Sequence, residues 1–512
     1  MKAFTEPLLS LAGFEEMTKT AEKSSGLISV TGCIDAQKSQ MIYAFGGHRK
    51  NKLIVTFGEQ KAKELYDEYS FFDKEVVYYP SKDVLFYQSD IRGNLLTAER
   101  IRALKAIHEQ ESVTLVTTFD ALMNTMAPIE KMWENVLTLE QGQLLDLKEI
   151  QAALIRMGYE KEYQVQTMGQ FSVRGGILDV FPLTEENPIR IELWGDEIDT
   201  IRYFDCESQK SIENIDRVSI YPAAELVLSD EEKAGGIEKL KAEAKRVSDK
   251  LRKQMKTEEA HRVTVMADEL TEEWGELSMY AGMDAFLSYF FDERVGLLDY
   301  FKPSDSLIFF DELTRCAEQG KLTETEFSES MKQRLAMGYI LPGQMNGLFT
   351  EKEIVAKLGK YSCIALGALD NKANGLHQLG SYGIHCQSVS PYNNSFELLI
   401  KDLKRYKKNG YRVILLSGSR TRAKRLSEDI TDQGITCFYT ENYDHELLEG
   451  QIMVCYGKVR RGFEYPILKF AVITESDIFG AQQKKKKRHR TYEGEKIQSF
   501  TDLSVGDYVV HE

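Results

Sequence analysis

The stretch that most constrains this chain runs from Gly169 to Asp199. Between Ile189 and Trp194 apolar residues alternate with the rest, so Ile189, Ile191 and Leu193 fall on one side of a strand, and Arg190, Glu192 and Trp194 on the other. Gly195-Asp196 then reads as a tight turn. The run Gly169-Gln170-Phe171-Ser172-Val173-Arg174-Gly175-Gly176-Ile177-Leu178-Asp179-Val180-Phe181-Pro182 reads as earlier strands of the same antiparallel meander. A tryptophan beside an arginine on the side away from the core is costly to leave in water, and both residue types dominate the centres of protein interfaces. Two readings stand at this point: a docking surface for another protein, or a second buried face that absorbs Trp194.

A chain of 512 residues holds roughly three or four domains. Its 42% hydrophobic and 28% charged residues are those of an ordinary globular protein. No segment approaches the ~20 apolar residues of a membrane span, and the start Met1-Lys2-Ala3-Phe4-Thr5-Glu6-Pro7 lacks a signal-peptide pattern, so a cytoplasmic protein is expected. Seven cysteines without a Cys-x-x-Cys pair give neither a disulfide framework nor a zinc site, and no metal is expected. A formal net charge of −15 excludes a wholly basic, nucleic-acid-coating surface while leaving room for a local basic patch.

Gly26 to Thr31 is a short apolar strand that runs into Gly32-Cys33-Ile34-Asp35-Ala36-Gln37-Lys38-Ser39 and a helix-compatible segment through Phe45. The order is strand, phosphate-loop slot, helix. A working loop reads G-x-x-x-x-G-K-[ST], its second glycine letting the backbone amides curl round phosphates. Gln37 stands at that glycine, and Asp35 adds negative charge where an anion would sit, so ATP binding is disfavoured twice. Lys38 and Ser39 stay in register, which keeps an intact-loop reading open. Leu307-Ile308-Phe309-Phe310-Asp311-Glu312, a strand ending in two acids, is either a relic of a magnesium-binding motif or an ordinary acidic strand end.

Further along, Ser229 with Glu232 forms a capping-box start to a charged helix from about Asp230 to Thr257, expected to be a solvated surface helix. Strand-like runs at 306–310 and 363–366 alternate with helical patterns up to Gly383, as in a completed α/β domain. A third unit begins near Val389. It has helices at 396–403 and 419–432 and strands at 412–417, 435–438 and 470–474, suggesting a small parallel sheet without a nucleotide fingerprint. Lys484-Lys485-Lys486-Lys487-Arg488-His489-Arg490 is a dense basic run, read either as a solvated linker or as a salt-sensitive contact to DNA phosphates. Leu503 to Glu512 looks like a first β-barrel strand.

The motif 173–182, with Arg190-Ile191-Glu192 and Trp194-Gly195-Asp196-Glu197-Ile198-Asp199, resembles domain 2 of the excision-repair protein UvrB, a module that also occurs in the bacterial transcription-repair coupling factor family, Mfd. Tyr78 to Tyr87 is followed so soon by Thr97 to Leu104 that the damage-reading hairpin of UvrB has no room, which favours the coupling-factor family. Gly462-Phe463-Glu464-Tyr465-Pro466 and Thr474 to Gly480 are similar to the end of that family's domain 3. The resemblance implies an α/β, multidomain fold: a helicase-like domain of P-loop NTPase type, an inserted antiparallel, β-rich α+β domain, and a second small α/β domain. The divisions implied are 1–140 and 227–385 for the first domain, with its degenerate site Gly32, Gln37, Lys38, Ser39, Asp311 and Glu312. Residues 141–226 form the insert, 386–480 the third domain, 481–500 a basic linker, and 501–512 the start of a truncated RNA-polymerase-interacting domain.

In that family the insert binds UvrA, and the matching positions are Arg174, Arg190 and Trp194, with Arg202 and Phe204 on the next strand. The resemblance further implies a monomeric adaptor in transcription-coupled nucleotide excision repair with no catalytic residues or cofactor in this segment. ATP and magnesium belong to a missing motor, as does most contact with double-stranded DNA, while RNA polymerase binds through the next domain. Lys484, Lys485, Lys486, Lys487, Arg488 and Arg490 are the candidate DNA contacts here. Two other functions remain open: a UvrB-like ATP-dependent helicase and a non-specific DNA-binding module.

Overall fold

The computed structural model describes residues 1–47, 49–82, 94–276, 282–370 and 375–480. The basic run 484–490, the strand expected after Leu503 and residues 83–93, within the span expected to leave no room for a hairpin, lie outside them.

Seven strands form an all-parallel sheet in the order Gln378–Gly383, Gly26–Thr31, Ser362–Leu366, Ser306–Asp311, Asn51–Thr56, Thr114–Thr118, Val77–Tyr79. Strands from both ends of the first 383 residues therefore share one sheet, with the insert looping out between them. Such a sheet is covered on both faces, and successive side chains show it. Ile28, Ile54, Phe309 and Ile364 enter one core, while Leu27, Leu53, Ile308, Phe310 and Cys363 enter the other. The first of these cores continues through Ile414, Leu416, Met453 and Tyr465, so the third unit packs directly on the first domain.

The third unit departs from the parallel sheet expected. Arg412–Ser417 pairs in parallel with Phe470–Thr474 and with Ile452–Tyr456, a strand the sequence reading missed. Phe463–Tyr465 and Gln387–Ser388 then add antiparallel rungs at one edge. The strand expected at 435–438 shrinks to Phe438–Tyr439.

The expected capping box closes the start of the helix Asp230–Lys253, but that helix stops four residues short of Thr257 and a second one, Thr257–Glu276, folds back along it. Leu240, Ala244 and Leu251 face Val263, Ala267, Leu270 and Trp274 across a core of their own, so this is a packed hairpin and not a lone solvated helix.

The insert is a six-stranded sheet in the order Ser211–Ile215, Glu197–Phe204, Ile189–Trp194, Ile177–Val180, Gln170–Arg174, Glu160–Lys161. The four ladders from Ser211–Ile215 to Gln170–Arg174 are antiparallel. Phe171, Leu178, Val180, Ile189, Ile191 and Ile201 pack on Leu154 of the helix Leu147–Arg156, burying one face at about 25 cal/mol per Å² of apolar surface removed from water. A small ladder between Leu137–Glu140 and Arg217–Ile220 closes the neck of the insert.

A buried and a half-buried ion pair hold the neck to the first domain. The Arg100 guanidinium donates from Nε to Glu225 Oε1 at 2.7 Å and from Nη2 to Oε2 at 3.0 Å, while Lys105 reaches Glu185 at 3.1 Å. Burial alone would raise the Glu225 carboxyl; Arg100 and Lys82 overcome it and hold it down at about 2.

Candidate protein-docking site

The register of the insert places its polar residues in rungs. Asp179 lies opposite Arg190, Arg190 opposite Arg202, and Arg202 opposite Asn214. Two residues along each strand, Arg174 faces Ile177, Ile177 faces Glu192, and Glu192 faces Thr200. Trp194 follows on the same side, next to the turn where Gly195 takes a φ of 65°, a backbone conformation costly for other residues.

Among the described residues this side has no second layer over Trp194, which is 84% exposed. That removes the reading in which a buried face absorbs it. Leu144, bridged to Glu197 and 75% exposed, lies beside the same turn. Glu140, Glu197, Asp199 and Asp216 line an acidic groove running past Trp194.

The arginines are organised within the sheet. Arg190 donates from Nε to Asp179 Oδ1 at 2.7 Å, from Nη2 to Asp179 Oδ2 at 2.9 Å, and from Nη2 to Gln209 Oε1 at 2.8 Å. Its guanidinium lies over the Phe204 ring, 4.3 Å from the centroid. Arg174 Nη2 donates to the same Asp179 Oδ2 at 3.0 Å. Arg202 pairs with Glu192 through both guanidinium ends.

Phe204 requires a correction. Expected as a contact, it is 1% exposed, since on the outward side of its strand its ring is covered by the Arg190 guanidinium. It supports an arginine and offers no area of its own. Asp179 and Gln209, by contrast, were assigned no role from sequence. Asp179 stands on the polar side of the alternation, but its place opposite Arg190 depends on a strand register that composition does not carry.

The phosphate-loop slot comes together in space as well. Lys38 Nζ, 1% exposed, donates to Asp311 Oδ1 at 2.5 Å, Glu312 Oε1 at 2.9 Å and Asp35 Oδ1 at 3.1 Å. Burial would lower the Lys38 ammonium; Asp311 and Glu312 more than offset that and hold it above the ordinary lysine value. The helix already begins at Asp35, so Gln37, also buried, sits in its first turn. Two of the loop amides are occupied, Gly32 N–H donating to the Ala368 carbonyl at 3.2 Å and Cys33 N–H to the Gly367 carbonyl at 3.0 Å. A Cβ on Gly32 would meet the Ile384 carbonyl oxygen at 2.1 Å, which shows how tightly the loop is packed. The Ser39 hydroxyl is buried and has no hydrogen-bond partner among the described residues. As folded, these residues do not fit a triphosphate: the lysine charge is already neutralised, and the carboxylates around it would repel one.

No group of three or more metal-ligating side chains occurs among the described residues, and no helix there is long and apolar enough to cross a membrane.

Comparison with known proteins bears on the sheet first. Residues 137–226 match the UvrB interaction domain family, the boundaries being those of the neck ladder and the Glu225 clamp. Over most of its length the chain aligns with transcription-repair-coupling factors: 29% identity over 461 residues with that of Bacillus subtilis, covering 90% of this chain and 39% of the relative. Identity is 28% over 496 residues with that of Staphylococcus haemolyticus and 27% over 513 residues with that of Staphylococcus aureus strain MRSA252, covering 94% and 97% of this chain. The chain resembles the N-terminal part of a transcription-repair-coupling factor. It spans about two-fifths of the length of these relatives, at 39%, 41% and 42%. Arg174, Arg190, Trp194 and Arg202 all lie within the UvrB interaction domain match.

Proposed function

We propose that the outward face of the UvrB interaction domain docks UvrA, and that this chain is the recruiting arm of transcription-coupled nucleotide excision repair. The observation that carries the reading is an arginine-rich sheet face, with two guanidiniums sharing one carboxylate, beside a tryptophan that is 84% exposed. Arginine forks match partner carboxylates, and the indole supplies apolar area at low entropic cost. The name borne by the relatives, coupling of transcription to repair, fits an adaptor that links a repair protein to stalled RNA polymerase.

In this reading ATP-driven release of the polymerase, and most DNA contact, belong to parts of the relatives that this chain does not span. The rival UvrB-like helicase would need Lys38 for phosphate; its three carboxylate partners weigh against that. Titration calorimetry of the chain against UvrA is the test. Micromolar or tighter binding that Arg174→Ala/Arg190→Ala abolishes is expected, and no heat from folded wild type would overturn the reading.

A further inference from the structure

Building on that docking reading, we infer that Asp179 is a positioning residue: it fixes Arg190 as a rigid hook on the docking face and tethers Arg174 as a movable one.

Asp179 is 1% exposed, although it stands on the outward side of the sheet. Both carboxylate oxygens are occupied by the two arginines, Oδ1 by Arg190 Nε and Oδ2 by Nη2 of each. An aspartate has the length to do this from the neighbouring strand because it lies directly opposite Arg190 in the ladder. The planar fork of Arg190 is then held at four points: two bonds to Asp179, one to Gln209, and its face on Phe204. Among the described residues Arg174 is held by the single bond to Asp179, with 37% of its side chain exposed against 13% for Arg190.

The electrostatics follow from the same arrangement. Two guanidiniums and one carboxylate leave a net charge of about +1, so the carboxylate orders the arginines without cancelling their attraction for an acidic group. A partner carboxylate meets Arg190 already oriented, and the freezing of a long side chain is not charged to the binding step. Arg174 can leave its single bond and turn to the partner while Arg190 stays bound to Asp179.

A role confined to stability would act alike whatever stands at 190. The experiment is therefore a double-mutant cycle on the full chain, with UvrA affinity and thermal melting measured for wild type, Asp179→Asn, Arg190→Lys and the double variant. Asp179→Asn is expected to weaken binding about tenfold in the wild-type background, the size of one lost preordered side chain, and by about twofold or less in the Arg190→Lys background. Equal losses in both backgrounds, or full affinity in a folded Asp179→Asn protein, would overturn the inference while leaving the docking reading intact. Absence of binding by wild type would overturn both. If Asp179→Asn loses its melting transition, arginine side-chain nitrogen spectra of wild type still decide. Slow guanidinium rotation at Arg190 and fast rotation at Arg174 are expected, and fast rotation at both contradicts the inference.

Discussion

Two clusters in this molecule are both built from cations on carboxylates and come out opposite. Around Lys38 one ammonium meets three carboxylates, those of Asp35, Asp311 and Glu312, with both Lys38 and Asp311 about 1% exposed. On the outward side of the insert's sheet two guanidiniums, that of Arg174 37% exposed, meet one buried carboxylate. The first has surplus negative charge and all three donors of its lysine engaged, which weighs against a phosphate there, and it ties the Lys38 helix to the neighbouring strand end. The second has surplus positive charge, pre-aimed forks and an indole beside it, so it is open to an acidic partner. What separates an ion pair that holds a fold from one that reads a partner is thus the charge left over and where it faces.

The largest effect expected is on the closed cluster. Lys38→Met leaves the buried Asp311 carboxylate uncompensated and should cost about 3–5 kcal/mol in the urea unfolding of the parallel-sheet domain; an unchanged midpoint would break the contrast. Glu68 sharpens it. Buried on the helix Glu59–Tyr69, its carboxyl is pushed up to about 7 because desolvation outweighs the pull of Lys61 and Arg460. The folded state then binds the proton more tightly than the unfolded chain, so stability should fall as pH rises from about 4.5 to about 7 and level off above. A Glu68→Gln variant should flatten that slope, by up to about 3 kcal/mol across the window.

On the open face, Arg190→Ala should weaken UvrA binding by about 2 kcal/mol or more in calorimetry. Trp194→Ala should cost about 1–2 kcal/mol of affinity with no change in melting temperature, its side chain being exposed. Arg174→Ala should cost less than either, in line with its single bond. A ranking with Arg174 above Arg190 would invert the rigid and movable assignments.

Legibility in the sequence followed the range of the interaction. Alternation at 189–194 and the apolar runs at 26–31 and 306–311 specify strands because period and burial are local, and those strands form as read. Trp194 was legible as facing away from the core, but not as uncovered, since spacing says nothing of a further layer. Phe204 was legible as outward-facing, but not as covered, since spacing does not say that the Arg190 guanidinium lies over its ring. Lys38 and Asp311 are 273 residues apart, so spacing could not join them; the family resemblance grouped them in one site, and their direct pairing is seen only in the fold. In Thr257–Glu276, Val263, Ala267, Leu270 and Trp274 recur at helical spacing; the heavy charge between them hid a buried stripe.

Hydrogen–deuterium exchange of the full chain with and without UvrA tests the central contrast most directly. New protection should concentrate in the strands 170–174, 177–180, 189–194 and 197–204, with the Lys38 helix and the 306–311 strand unchanged. Protection centred on the Lys38 cluster or on the third unit, with the insert unaffected, would contradict this account.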